Sequence, residues 1–257
     1  MKKIRVGIIG GTNGMGRWFA DLLKKEDCTI HICGRNTKLG INDLARLCNV
    51  IVVSVPIPVT TDIIKQVGPL LSKDTLLMDL TSLKKEPVRL MLANSKAEVI
   101  GCHPLFGPQL KNLSGQNVIL CPARGYKWLP WLKAVFRKHK MAVWESTPDK
   151  HDKMMAIVQA LNHFNTIIMG MALAKTNIPL DEINKFSTPI FRTKLAVIKK
   201  LFKETPELYV DLITENPKTN KMLDIYEKAL RDIRLTIKSG SKAKSKKVLS
   251  TAAKKLF

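Results

Sequence analysis

The sequence predicts an α/β fold with a doubly wound parallel sheet, followed by an all-helical domain. Three observations carry the prediction. β-branched runs alternate with amphipathic stretches through the first half, and a glycine turn closes the first run. After Thr147-Pro148 the strand signals stop and apolar residues recur at helical spacing. A chain of 257 residues is long enough for two domains with cores of their own.

In chain order, strands are expected at residues 4–9, 29–33, 50–55, 76–80, 99–102, 118–120 and 141–144. Helical patterns lie between them near 15–25, 41–48, 60–70, 85–93 and 126–138. The second half predicts helices over 151–175, 181–186, 189–204, 206–215 and 220–237. Asp149, Asp181 and Asn220 suit helix caps, and Pro206 suits a first helical position. The boundaries implied are a dinucleotide-binding domain over 1–147, a helical domain over 148–237 and a basic tail over 238–257. Residues 154–174 are apolar around most of the helix circumference, which calls for burial on several sides; a dimer core would provide it.

Hydrophobic residues make up 45% and charged residues 25%, with 14 Gly and 13 Pro, a globular balance that excludes disordered and collagen-like chains. Mean hydropathy is close to zero. No apolar run is expected to approach the roughly 18 residues of a membrane span. The N-terminus lacks the apolar core and cleavage site of a signal peptide. Cys28, Cys33, Cys48, Cys102 and Cys121 are odd in number with no CxxC pair, so reduced thiols in a cytoplasm are expected. The formal charge is +22, from 43 Lys and Arg against 21 Asp and Glu. Seven lysines and no acid fall after residue 237, where a frayed, solvated tail is expected. A nucleic-acid-binding protein is the alternative in a different class. It predicts aromatic platforms among the basic residues, yet aromatics are 6% and none precedes Phe257 in the tail.

The chemistry starts at Val6-Gly7-Ile8-Ile9-Gly10-Gly11-Thr12-Asn13-Gly14-Met15-Gly16. A hydrophobic strand enters a glycine turn that opens a helix, which offers backbone N–H groups to a pyrophosphate. Gly11 and Gly16 hold the outer positions of a G-x-G-x-x-G fingerprint; Asn13 stands at the middle one, where its tolerance of a left-handed backbone would preserve the turn. The second strand ends at Gly34-Arg35 instead of the acid that binds the NAD ribose, which favours NADP, with NAD as the alternative.

Three later strands end in polar residues, at Ser54 before Val55-Pro56, at Thr81-Ser82, and at His103 before Pro104. Ligands of doubly wound sheets sit outside these carboxyl ends. His103 there is placed for proton transfer, and Cys102 cannot pair with it because successive strand side chains point to opposite faces. His151 and His163 lie 12 residues apart, about 120° around an ideal helix, and His151-Asp152 reads equally as a capping pair. Arg192 sits in an apolar stretch and needs an anionic partner, from protein or ligand. No metal-ligand spacing, nucleophile elbow or P-loop is present.

These residues resemble the prephenate dehydrogenases, including arogenate dehydrogenases, of tyrosine biosynthesis. The likeness runs through Gly10-Gly11 to Arg17, Val53-Ser54-Val55-Pro56-Ile57, Asp79-Leu80-Thr81-Ser82-Leu83-Lys84, and His103-Pro104-Leu105-Phe106-Gly107-Pro108. It continues through His151-Asp152, Gln159 to Phe164, and Ser187 to Arg192. The family's Rossmann domain is followed by a helical dimerisation domain, so a homodimer is implied. By resemblance His103 is the catalytic histidine, Ser82 orients substrate and nicotinamide, and Arg192 binds a substrate carboxylate. His163, Gln159 and Lys84 are assigned to substrate binding on the same ground. Gly10, Gly11, Thr12, Asn13, Gly14, Met15, Gly16, Gly34, Arg35, Ser54, Val55 and Pro56 are the expected cofactor contacts. The implied substrate is prephenate, a small dicarboxylate, with arogenate as the alternative. No chorismate mutase segment precedes and little chain follows the helical region, so a monofunctional enzyme is expected.

Overall fold

A computed structural model describes residues 3–203 and 206–257. The chain divides into two compact units, Met1–Met155 and Ala156–Phe257. Among the described residues of the first unit, seven strands form one sheet. They are β1 Arg5–Ile9, β2 Thr29–Cys33, β3 Val50–Val53, β4 Leu76–Asp79, β5 Glu98–Pro104, β6 Asn117–Arg124 and β7 Ala142–Glu145. The order is β2-β1-β3-β4-β5-β6-β7. The chain steps from β1 to β2 on one side and then crosses to β3 on the other, so the carboxyl ends of β1 and β3 flank a switch point.

Around the sheet lie α1 Gly14–Lys24, α2 Ile41–Leu47, α3 Ile57–Val67, α4 Lys85–Asn94, α5 Trp128–Lys138 and α6 Pro148–Met155. Side-chain alternation along the strands sorts the core into two layers. Val6, Ile8, Val52, Met78 and Ile100 pack with Phe19 and Phe136 on one face; Ile51, Val53, Leu77 and Val99 pack with Ile64 and Met91 on the other. Burial on both faces explains why β3 is apolar at every position.

Two strands depart from the expected parallel sheet: β6 runs antiparallel to β5, and β7, parallel to β6, runs with it against β1–β5. Residues 105–116 carry no crossover helix, and without one the returning strand has to reverse. The ladder starts where the Leu105 N–H donates to Asn117 O at 2.9 Å.

The second unit opens with a π-helical turn, Ala156–Leu161, followed by α7 Asn162–Ala174, α8 Leu180–Lys185, α9 Pro189–Lys203, α10 Pro206–Thr214, α11 Thr219–Lys238 and α12 Lys242–Leu256. A π turn closes its hydrogen bonds one residue later than an α turn, so the 120° spacing expected between His151 and His163 does not hold through it. Pro206 opens α10 as predicted. Thr147, not Asp149, caps α6, its carbonyl accepting from His151 N at 2.9 Å and its hydroxyl from Lys150 N at 3.3 Å.

The expectations for the tail and for the longest apolar run need correction. The tail is not frayed: Gly240, at φ +65°, ends α11 and the Ser241 hydroxyl accepts from Lys244 N at 3.3 Å to cap α12. Lysine and alanine are good helix formers, and α12 packs on α11. The compact units part after Met155, because α6 packs on α4 and buries His151, Asp152 and Met155 there. The helical run Pro148–Ala174 is, at 27 residues and a mean hydropathy of 1.2 in its most apolar window, long and apolar enough to cross a membrane by length and composition alone. Uncharged polar residues (Gln159, Asn162, His163, Asn165) interrupt it, which is why no continuous apolar run stood out in the sequence.

Candidate active site

The glycine turn shows why each glycine is there. Gly10 has φ +85°, and a Cβ on it would stand 2.1 Å from Ser54 O, so only glycine lets β1 end this close to β3. A Cβ on Gly16 would meet Gly10 O at 2.4 Å, so α1 could not close on the turn. Gly14 has φ +53°, with no atom within 4 Å of a built Cβ. Asn13 is extended at φ −149°, ψ −175°, so the left-handed positions are Gly10 and Gly14 and the tolerance expected of Asn13 is not used. Gly11 is buried, Met15 half-buried, and Thr12, Asn13 and Gly14 exposed at the start of α1. A tight turn, a close strand–helix approach and an open backbone edge at a helix N-terminus suit a dinucleotide pyrophosphate.

At the end of β2, a Cβ on Gly34 would lie 3.0 Å from Thr12 Cγ2, so this strand end abuts the glycine turn. The Gly34 N–H donates to Thr37 Oγ1 at 2.8 Å, and Arg35 is exposed. Ser54 and Val55 are half-buried and Pro56 exposed just beyond β3, and Ser82 is half-buried just beyond β4.

His103 lies within β5, paired with Ile119 of β6, and is 4% exposed. Its Nδ1 is 2.9 Å from Nε2 of His151, which is 2% exposed. His151 Nδ1 is in turn 2.7 Å from Asp152 Oδ1. The Asp152 carboxylate also accepts from the backbone N–H of Lys84 at 2.8 Å and of Lys85 at 2.9 Å, where α4 begins. Burial, with the neighbouring His151 and the Lys84 ammonium, holds the His103 pKa well below the usual histidine range. Burial likewise lowers His151, against the pull of Asp152. Both rings are therefore neutral at pH 7. Neither His151 nor Asp152 received a role from the sequence; the available signal was a His-Asp pair in the first turns of a helix that follows Thr-Pro.

The structure corrects the assignment of Lys84 to substrate. Its side chain is fully buried, its ammonium paired with Asp79 and 3.3 Å from Thr81 Oγ1. Its stem crosses Gly101, where a Cβ would stand 2.9 Å from Lys84 Cδ. An ammonium sealed against a carboxylate inside the sheet unit is not available to a ligand.

In the second unit, Arg192 is exposed in the first turn of α9 and lines a cavity of about 720 Å³ with Gly170, Asp181, Asn184 and Phe202. His163 is half-buried, its ring 4.6 Å from that of Tyr209, and burial lowers its pKa. Gln159 lies in the π turn, and its buried Oε1 has no hydrogen-bond partner among the described residues.

A glycine turn at a switch point, closing the first strand and opening a helix, is the geometry of a dinucleotide-binding domain. The family model of the prephenate dehydrogenase nucleotide-binding domain matches residues 22–145, and that of the prephenate dehydrogenase dimerization domain matches residues 147–251. The chain belongs to the prephenate dehydrogenase family. It is 33% identical over 270 residues to a probable arogenate/prephenate dehydrogenase of Methanocaldococcus jannaschii, an alignment covering 98% of this chain and 60% of that protein. It is 33% identical over 242 residues to the T-protein of Enterobacter agglomerans, covering 92% of this chain and 63% of that one. The chain thus spans about three fifths of the length of these curated relatives. Among solved structures, prephenate dehydrogenase from A. aeolicus in complex with hydroxyphenyl propionate and NAD+ shares the fold, with a TM-score of 0.80 at 21% identity over 99% of this chain and 98% of that one.

Proposed function

We propose that the chain catalyses the oxidative decarboxylation of prephenate to 4-hydroxyphenylpyruvate in tyrosine biosynthesis, with NADP as the preferred cofactor. The observation that carries the reading is His103, an imidazole kept neutral by burial on a strand whose carboxyl end lies at the edge of the sheet that bears the glycine turn. The bound nicotinamide would accept a hydride from the carbinol carbon of the substrate ring. His103 takes the proton of the ring hydroxyl as its C–O bond becomes C=O, which neutral imidazole can do. The electron pair left by the departing carboxylate, lost as CO2, enters the ring, and the phenol oxygen takes its proton back. Arg192 holds a substrate carboxylate, Ser82 orients substrate and nicotinamide, and His163 and Gln159 line the pocket, as the family resemblance implies. The unpartnered Oε1 of Gln159 supports a polar ligand there.

Gly10, Gly11, Thr12, Asn13, Gly14, Met15 and Gly16 would hold the pyrophosphate, flanked by Ser54, Val55 and Pro56. Gly34 and Arg35 support NADP, since the β2 end lacks a carboxylate and offers a guanidinium to a ribose phosphate. The active form is a homodimer: Ile157, Val158, Ile168, Met171, Ile190 and Val197 are exposed in the unit that matches the dimerization model, and a second copy would cover them. That same demand accounts for the apolar length of 148–174 without a membrane. A cytoplasmic location agrees with five free, buried cysteines.

Reduced-cofactor absorbance, followed with prephenate and arogenate each paired with NAD and NADP, tests the reading. Turnover of prephenate, faster with NADP, is expected. Turnover of arogenate alone, or of neither, overturns it.

A further inference from the structure

We propose that His151 and Asp152 are positioning residues that fix the tautomer of His103, leaving Nε2 as the nitrogen that takes the substrate proton. The proposal rests on the reading of His103 as the base. The Asp152 carboxylate is anchored by two amides at the start of α4, Lys84 N–H at 2.8 Å and Lys85 N–H at 2.9 Å. An ionised carboxylate only accepts, so His151 Nδ1, 2.7 Å from it, carries the proton. A neutral imidazole has one N–H, which leaves His151 Nε2 as an acceptor. His103 Nδ1, 2.9 Å away, therefore donates to it, and His103 Nε2 is left bare.

Each link uses a proton that the next one lacks, so the direction of the line is set at its Asp152 end. The argument needs both rings neutral. The charged and titratable groups that face them are Lys84, Asp79, Asp152 and each other. Burial and the Lys84 ammonium favour the neutral forms, while Asp152 and Asp79 act the other way on His151. A third group that orients a catalytic imidazole is the logic of the serine-protease triad, here lengthened by one ring.

Long-range proton–nitrogen NMR of the imidazoles, on the full chain labelled at histidine and without substrate, reads the tautomers directly. A proton on Nδ1 and a bare Nε2 are expected for His103 and for His151. A proton on His103 Nε2 overturns the proposal. In turnover, Asp152→Asn is expected to lower kcat by roughly 10²-fold or more with little change in KM for prephenate. His151→Gln, whose amide oxygen can still accept from His103 Nδ1, should retain more activity than His151→Leu; equal losses in the two overturn the proposal. The NMR result needs no turnover. A chain that converts prephenate with the wrong tautomer rejects this inference alone, and the expected tautomer with no conversion rejects the functional reading alone.

Discussion

Lys84→Met removes a positive charge from a place where no water can replace it. Lys84 and Asp79 are both 0% exposed. After the substitution Asp79 keeps the Thr81 N–H at 3.1 Å and the Thr81 hydroxyl, while its Oδ1 already has no hydrogen-bond partner among the described residues. Methionine refills most of the groove over Gly101, so the loss is electrostatic and little of it is cavity. Breaking a buried pair by deleting one partner costs about 3–5 kcal/mol. At about 2–4 °C per kcal/mol for a unit of this size, Tm should fall by roughly 6–20 °C. Adding Asp79→Asn removes the orphaned charge and should recover at least half of the loss. Thermal unfolding followed by circular dichroism, with the wild type, both single variants and the double, measures the cycle. A single variant melting within about 2 °C of wild type, or a double as low as the single, refutes the reasoning. A large rise in KM for prephenate at unchanged Tm would restore Lys84 to the substrate.

His103→Asn should lower kcat by roughly 10²–10⁴ with little change in KM, and near-wild-type turnover would reject the assignment. For Arg192→Gln a large rise in KM for prephenate is expected while cofactor titration is unchanged; an unaltered KM would give the guanidinium another role. Arg35→Asp should move preference from NADP toward NAD, seen by titrating both, and no movement would mean that the side chain only faces solvent. His103 and His151 have folded pKa values below the 6.5 of the unfolded chain, so the unfolded state binds more protons as pH falls through that value. Stability is then fully present above pH 6.5 and lost below it, at up to about 1.4 kcal/mol per pH unit for each ring. A Tm that stays level from pH 8 to pH 5, or a kcat/KM that already falls above pH 6.5, contradicts neutral burial.

The local elements were legible because their causes are local. The apolar run of β3 can only be a strand buried on both faces, and Pro206 marks the start of α10 from its own ring. His103 could be placed at a strand end without coordinates, since a polar residue closing an apolar run at the carboxyl edge needs no tertiary knowledge. The direction of β6 was not legible, because side-chain alternation is identical in a parallel and an antiparallel neighbour. Nor was the burial of Lys84. A lysine after a strand belongs at the surface by every local rule, and only Gly101, 17 positions on, makes room for its stem. The partner of His103 stands 48 residues away, a pairing that no helical period encodes.

The same pairing bears on where the functional division of the chain falls. The dimerization model begins at residue 147, yet α6 packs on α4 of the sheet unit and the compact units part only after Met155. The hydrogen-bonded line from the start of α4 through Asp152 and His151 to His103 lies wholly on the first side of that later division. On the reading proposed above, the nitrogen of β5 that takes the substrate proton would be set by a segment that falls within the dimerization model. A boundary drawn at 147 would part His103 from His151 and Asp152, whereas one drawn after Met155 leaves the hydrogen-bonded line in one piece. The eight residues between those boundaries carry His151 and Asp152, the two members of that line which lie outside the strand and the start of α4.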